Sequence, residues 1–122
     1  MKLTIQTKRV YDKPEPRKDG QRILVMRLWP RGIRLDAVNL WLKDLGPKRD
    51  LLTAYKAGKV RWPTFEKRYL EGLESDEARR ALSQLMQTLQ GSRFTLLCAC
   101  RDLKRCHTAP LKRTLARWAK LS

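Results

Sequence analysis

A chain of 122 residues with 42% hydrophobic content is long enough for one core and short enough for one domain, 1–122. Lys and Arg number 28 against 12 Asp and Glu, a net charge of +16, and no apolar run approaches the ~20 residues that span a bilayer. The opening Met1-Lys2-Leu3-Thr4-Ile5 has no signal-peptide core and reads as strand, so a cytoplasmic setting with no membrane partner is expected.

The charge is concentrated at the two ends. Residues 1–34 hold ten Lys/Arg against three acids (+7), and residues 93–122 hold eight against one (+7). Residues 35–92, with ten against eight, are nearly balanced, as a solvated helical face would be. Unpaired basic ends repel each other unless an outside partner meets them, and phosphate-rich partners are the usual ones. A generic basic surface that only aids solubility is the plainer reading.

In chain order, residues 3–10 read as an edge strand whose direction stays open. The Pro-rich, charged stretch from Asp12 to Gly20 reads as a loop. Ile23-Leu24-Val25-Met26 is a continuous apolar run, the pattern of a strand buried on both faces. Asp36 as a cap, followed by Val38, Trp41, Leu42 and Leu45, predicts a helix ending at Gly46-Pro47. Asp50 caps a second, with Leu51, Leu52 and Tyr55, that stops near Gly58. Pro63 belongs in the first turn of a third, with Trp62, Phe65, Tyr69, Leu70 and Leu73 on one stripe. Ser75 caps a fourth that buries Ala78, Ala81, Leu82, Leu85, Met86 and Leu89 and ends at Gly91. Core packing is the expected place of Trp41 and Trp62.

Residues 94–100, Phe-Thr-Leu-Leu-Cys-Ala-Cys, form a second two-sided strand. A basic helix from Thr108 follows, burying Leu111, Leu115 and Trp118 while exposing Lys112, Arg113 and Arg117 as a nucleic-acid surface. Two buried strands separated by a helical excursion imply a parallel crossover. The fold expected is α/β: a small, mostly parallel, Rossmann-like sheet layered with helices, in a single domain. Ligands of such sheets bind at the carboxyl ends of the strands, where RLWPRG and the Cys/His loop leave the sheet.

In RLWPRG, Arg27 and Arg31 offer planar donor forks for phosphate, Trp29 offers a ring to stack, and Gly32 permits a tight turn. A rigid strand-to-helix turn plugged by Trp29 would use the same residues. Arg101 adds a third phosphate-binding candidate. Three cysteines, all between Cys98 and Cys106, suggest reduced thiols at one locus. Cys106 and His107 stand before a helix among Arg101, Lys104 and Arg105, surroundings that favour a thiolate. Cys100, Cys106 and His107 are therefore the candidate catalytic residues, with Cys106 the most reactive and close enough to Cys100 for a reversible bridge. Cys98 reads as a small core residue. The spacing fits no paired C-x₂₋₄-C hooks, so neither metal nor cofactor is expected. A phosphatase loop fails too, because Lys104 and Cys106 stand where Cys98 and Cys100 would need arginine.

Lys8-Arg9-Val10-Tyr11-Asp12, the Arg22-to-Met26 strand running into RLWPRG, Leu40-Trp41-Leu42-Lys43 with Pro47, the Trp62…Phe65…Arg68-Tyr69 helix and Thr95-Leu96-Leu97 together resemble the bacterial domain-of-unknown-function family 488, short form. The resemblance covers nearly the whole chain and implies a compact, Rossmann-like α/β domain without supplying a function. The chain departs from the family's pattern at Met26, where members often carry Asp, and at its cysteine cluster, where short members carry small residues. Thr108 stands where the longer branch carries arginine. The residues leave three readings open: a domain binding nucleic acid or a nucleotide-like phosphate ligand in the cleft, a small enzyme acting on an anionic metabolite through a thiol or metal, and a non-catalytic binding module.

Overall fold

The computed structural model describes residues 4–89 and 93–121. Its centre is a four-stranded, all-parallel sheet: β1 (Thr4–Arg9), β2 (Gln21–Leu24), β3 (Leu40–Trp41) and β4 (Arg93–Cys98), in the order β1-β4-β2-β3. The first strand is an edge strand, as expected, and its open direction resolves as parallel to β4. It does not pair with β2. With β4 lying between them, the connection needs only a one-turn helix, α1 (Pro16–Asp19).

Both predicted two-sided strands are buried on two faces. Ile23, Val25, Phe94 and Leu96 pack into the main cluster with Leu82, Leu85, Leu111 and Leu115, whereas Leu24 and Leu97 point the other way, against Trp29, Ile33 and Val38. That division follows from the two-residue period of a strand. The flanking helices are α2 (Arg49–Lys56), α3 (Trp62–Gly72), α4 (Asp76–Thr88) and α5 (Thr108–Leu121). Pro63 sits in the first turn of α3, and the Ser75 hydroxyl accepts from the Ala78 amide at 3.2 Å to cap α4. The expected end of that helix at Gly91 lies outside the described residues. In the last helix Leu111 and Leu115 are buried, and Lys112, Arg113 and Arg117 are exposed.

The helix expected from Asp36 does not form. Two 3₁₀ turns, Leu35–Ala37 and Lys43–Leu45, flank β3 instead. Asn39 accounts for the difference: its Oδ1 accepts from the Arg22 amide at 2.7 Å and its own amide donates to the Arg22 carbonyl at 2.8 Å. Sheet pairing thus outweighs a weak helical period. Trp41 is 41% exposed rather than a core residue, with its indole N–H donating to the Met26 carbonyl at 2.7 Å.

Candidate functional site

The strands β2 and β4 lie side by side, and both chains leave the sheet at the same rim. Val25 continues the pairing, its amide donating to the Leu97 carbonyl at 3.1 Å, and the two loops then diverge around a cleft of about 510 Å³. Met26, Arg27 and Leu28 form one wall and Ala99, Cys100 and Arg101 the other, with His107 beneath. Helix α2 closes the third side with Arg49, Leu52, Thr53 and Lys56. Among the described residues, four cationic side chains and no carboxylate line this volume.

Arg27 is braced, its Nε donating to the Gly46 carbonyl at 3.0 Å and its Nη1 pairing with Asp44 at 3.2 Å. Arg49, Lys56 and Arg101 are exposed and, among the described residues, carry no ion pair. A second depression of about 540 Å³ shares Arg27 and Pro47 with the cleft but also carries Asp44, Asp50 and Glu71, so its charge is mixed.

Several expected site residues lie elsewhere. Trp29 does not line the cleft: its N–H is taken up by the Ile33 carbonyl at 2.8 Å, and its ring meets Trp41 edge-on at 5.4 Å over the smaller core cluster. Arg31 is exposed outside the cleft lining, and its carbonyl accepts from the Tyr11 hydroxyl at 3.0 Å. Gly32 does make the expected turn, with φ of 80°. On α5, Arg113 is paired with Glu66 at 2.9 Å. The basic face of α2 lies outside the expected site, although Arg49, Leu52, Thr53 and Lys56 follow the i, i+3, i+4, i+7 spacing of one helical stripe.

The cysteines converge more closely than their spacing suggests. Cys100 and Cys106 are joined as a disulfide, their Cα atoms 6.0 Å apart, which corrects the expectation of reduced thiols throughout. Cys98 remains a free thiol, buried as expected, with its Sγ 3.0 Å from that of Cys106. Burial pushes the Cys98 thiol up, an effect countered in part by the Cys100 amide, the Thr108 hydroxyl and Arg9. Cys106 is 1% exposed and Cys100 is half-buried on the cleft wall, so Cys100 is the more accessible of the two sulfurs. Arg9 fixes the loop there, its Nε donating to the Cys100 carbonyl at 3.0 Å.

His107 is buried at the cleft floor. Its Nε2–H donates to the Val25 carbonyl at 2.6 Å, so the Nδ1 lone pair faces Cys106 Sγ at 3.6 Å. The Tyr69 ring packs edge-on against it at 5.5 Å. Burial lowers the pKa of His107 to about 4 despite the Val25 carbonyl, so the ring is neutral near pH 7. A neutral imidazole beside sulfur can accept a thiol proton or serve as a ligand.

No helix among the described residues is long and apolar enough to cross a membrane. The family model described as the Active DUF488-N3 subclade matches residues 5–119. Uncharacterized protein Rv3073c of Mycobacterium tuberculosis is 37% identical over 113 residues, covering 91% of this chain and 92% of the relative. Uncharacterized protein YeaO of Escherichia coli is 44% identical over 77 residues, covering 62% of this chain and 66% of the relative. No solved structure matches the chain. On this match across nearly its whole length, the chain belongs to the DUF488 family.

Proposed function

We propose that the protein binds a nucleotide-like phosphate ligand, free or as part of a nucleic-acid strand, in the cleft between the RLWPRG loop and the Cys/His loop. The observation that carries this reading is the lining itself: Arg27, Arg49, Lys56 and Arg101 around about 510 Å³, with no carboxylate among them. That volume is in the range of small-ligand sites, and its place at the carboxyl ends of adjacent parallel strands is where open α/β sheets hold ligands. Three of the four cations have no protein partner among the described residues, so an anion would meet charge that is not already neutralised. Arg27 is held in position by Gly46 and Asp44 and so acts as a rigid donor. A cytoplasmic setting belongs to this proposal, and the remaining basic surface, with Lys112 and Arg117, would extend contact along a strand.

The test is equilibrium titration with mononucleotides and with short DNA and RNA oligonucleotides at 50 and 200 mM salt. Binding that weakens steeply with salt is expected, since each neutralised phosphate releases counterions. No binding to any of them at low salt would rule the reading out. A second reading, an enzyme acting on an anionic metabolite, is favoured by one observation: Cys100 and His107 line the same cleft. With the disulfide open, a thiol nucleophile would stand among cations that attract an anionic substrate.

A further inference from the structure

The sulfurs of Cys98, Cys100 and Cys106 all lie within 4.8 Å of one another. A disulfide uses only two of them and leaves Cys98 over. Reduction by two equivalents of a small thiol or one of a phosphine opens the Cys100–Cys106 bond. It yields two protein thiols and the oxidised reductant, and three thiols then share one small volume.

That volume suits a single tetrahedral ion. Zinc–thiolate bonds of about 2.3 Å and zinc–imidazole bonds of about 2.0 Å set neighbouring sulfurs about 3.8 Å apart and a sulfur–nitrogen pair about 3.5 Å apart. Cys106 Sγ and His107 Nδ1 are already 3.6 Å apart. The imidazole is also held as metal-ligating histidines are held, with its other N–H on a backbone carbonyl and the lone pair left free. Thr108 provides an independent sign. Two positions after Cys106, its Oγ1 is buried and has no hydrogen-bond partner among the described residues.

We propose that the reduced protein binds one zinc ion through Cys98, Cys100 and Cys106; His107 Nδ1, near Cys106 but outside the three-sulfur cluster, closes on the ion as the fourth ligand. Binding releases the three thiol protons and leaves one net negative charge on the centre, beside the Arg9 guanidinium that already holds the Cys100 carbonyl. The same sulfurs form either the disulfide or the metal centre, so redox state decides which. Sequence spacing argued against a metal because the ligands form no paired hooks. The fold supplies what the spacing lacks, since Cys98 ends β4 on the helix-covered face and Cys106 precedes α5 on that side.

The full chain, reduced with a phosphine under nitrogen, is incubated with zinc chloride, gel-filtered and analysed for metal, with the oxidised chain in parallel and no nucleotide present. About one zinc per reduced chain is expected, with little on the oxidised chain, because ligation requires free thiolates. Retention should fall about tenfold or more in Cys100→Ser, with folding checked by circular dichroism. Cobalt in place of zinc should show thiolate-to-metal absorption and a tetrahedral visible spectrum in the reduced wild type, and bound zinc should shield all three cysteines from alkylation. These two readouts need no variant. A reduced chain that retains no zinc, an oxidised chain that retains as much, or a cobalt spectrum without thiolate bands overturns the proposal. A cobalt spectrum unchanged in folded His107→Ala removes His107 from the ligand set.

Discussion

Val25 and His107 stand 82 positions apart and are tied by one buried hydrogen bond of 2.6 Å, from the imidazole Nε2–H to the Val25 carbonyl. The bond joins the exit of β2 to the start of α5, and so holds together the two loops that line the cleft. His107→Ala would leave a buried carbonyl unpaired and a void beside Tyr69. A loss of about 3 kcal/mol is expected in urea unfolding. An unchanged midpoint would mean that the loops are held by other contacts.

The far end of the sheet rests on a different device. Asp19, 3% exposed, pairs with buried Arg22 and with Lys8 at 3.2 Å, and it accepts from the Glu15 amide at 3.0 Å. Burial alone would raise its pKa, but the Glu15 amide, Lys8 and Arg22 outweigh it and hold the carboxyl below its ordinary value. The contribution to stability is therefore present above the unfolded-chain pKa of about 3.9 and is lost as pH falls through the lower folded value. Asp19→Ala should cost about 3 kcal/mol at pH 7, with the gap to wild type narrowing below about pH 4. Urea unfolding at pH 7, 5 and 3 gives the comparison, and a gap that holds at pH 3 would contradict it.

Gly46 allows the cleft wall its close approach. A Cβ there would stand 2.8 Å from the Arg27 amide nitrogen and 2.9 Å from the Met26 carbonyl carbon, both backbone atoms that cannot swing aside. Gly46→Ala should destabilise by about 2 kcal/mol through overpacking and should weaken ligand binding by displacing Arg27. Thermal unfolding and titration of the same variant check the two effects together.

Thiol accessibility gives an ordering. In protein reduced without metal, alkylation followed by peptide mapping should modify Cys100 first, with Cys106 and Cys98 slower because both are buried. In the oxidised protein none should react before unfolding. Cys106 reacting first would restore the order expected from charge and helix position alone.

Much of the frame was legible in the amino acids. The apolar runs around Ile23 and Phe94 announced two-sided strands, and the stripes of α3, α4 and α5 were readable because one helical face is buried and the other solvated. The segment after Asp36 misled because its helical period was weak and Asn39 docks on Arg22, a contact made only once the sheet exists. A cleft does open between the RLWPRG and Cys/His loops, yet Trp29 and Arg31 turn away from it, since a loop's side-chain directions depend on what it packs against. Arg49 and Lys56 carried a helical stripe, but nothing in the chain said that α2 would lie beside the strand ends. The cysteine spacing places three thiols at one locus without paired metal hooks, and only the fold brings all three sulfurs within 4.8 Å of one another.

Two variants in one titration separate phosphate bound in the cleft from phosphate spread over a basic surface. Arg49→Ala/Arg101→Ala removes two unpaired cleft cations, whereas Lys112→Ala/Arg113→Ala/Arg117→Ala removes three charges from α5. With a mononucleotide as ligand at fixed salt, the cleft variant should lose about tenfold or more in affinity, as loss of charge-assisted hydrogen bonds requires, and the helix variant less than about threefold. The reverse pattern, or equal losses in both, would contradict the account.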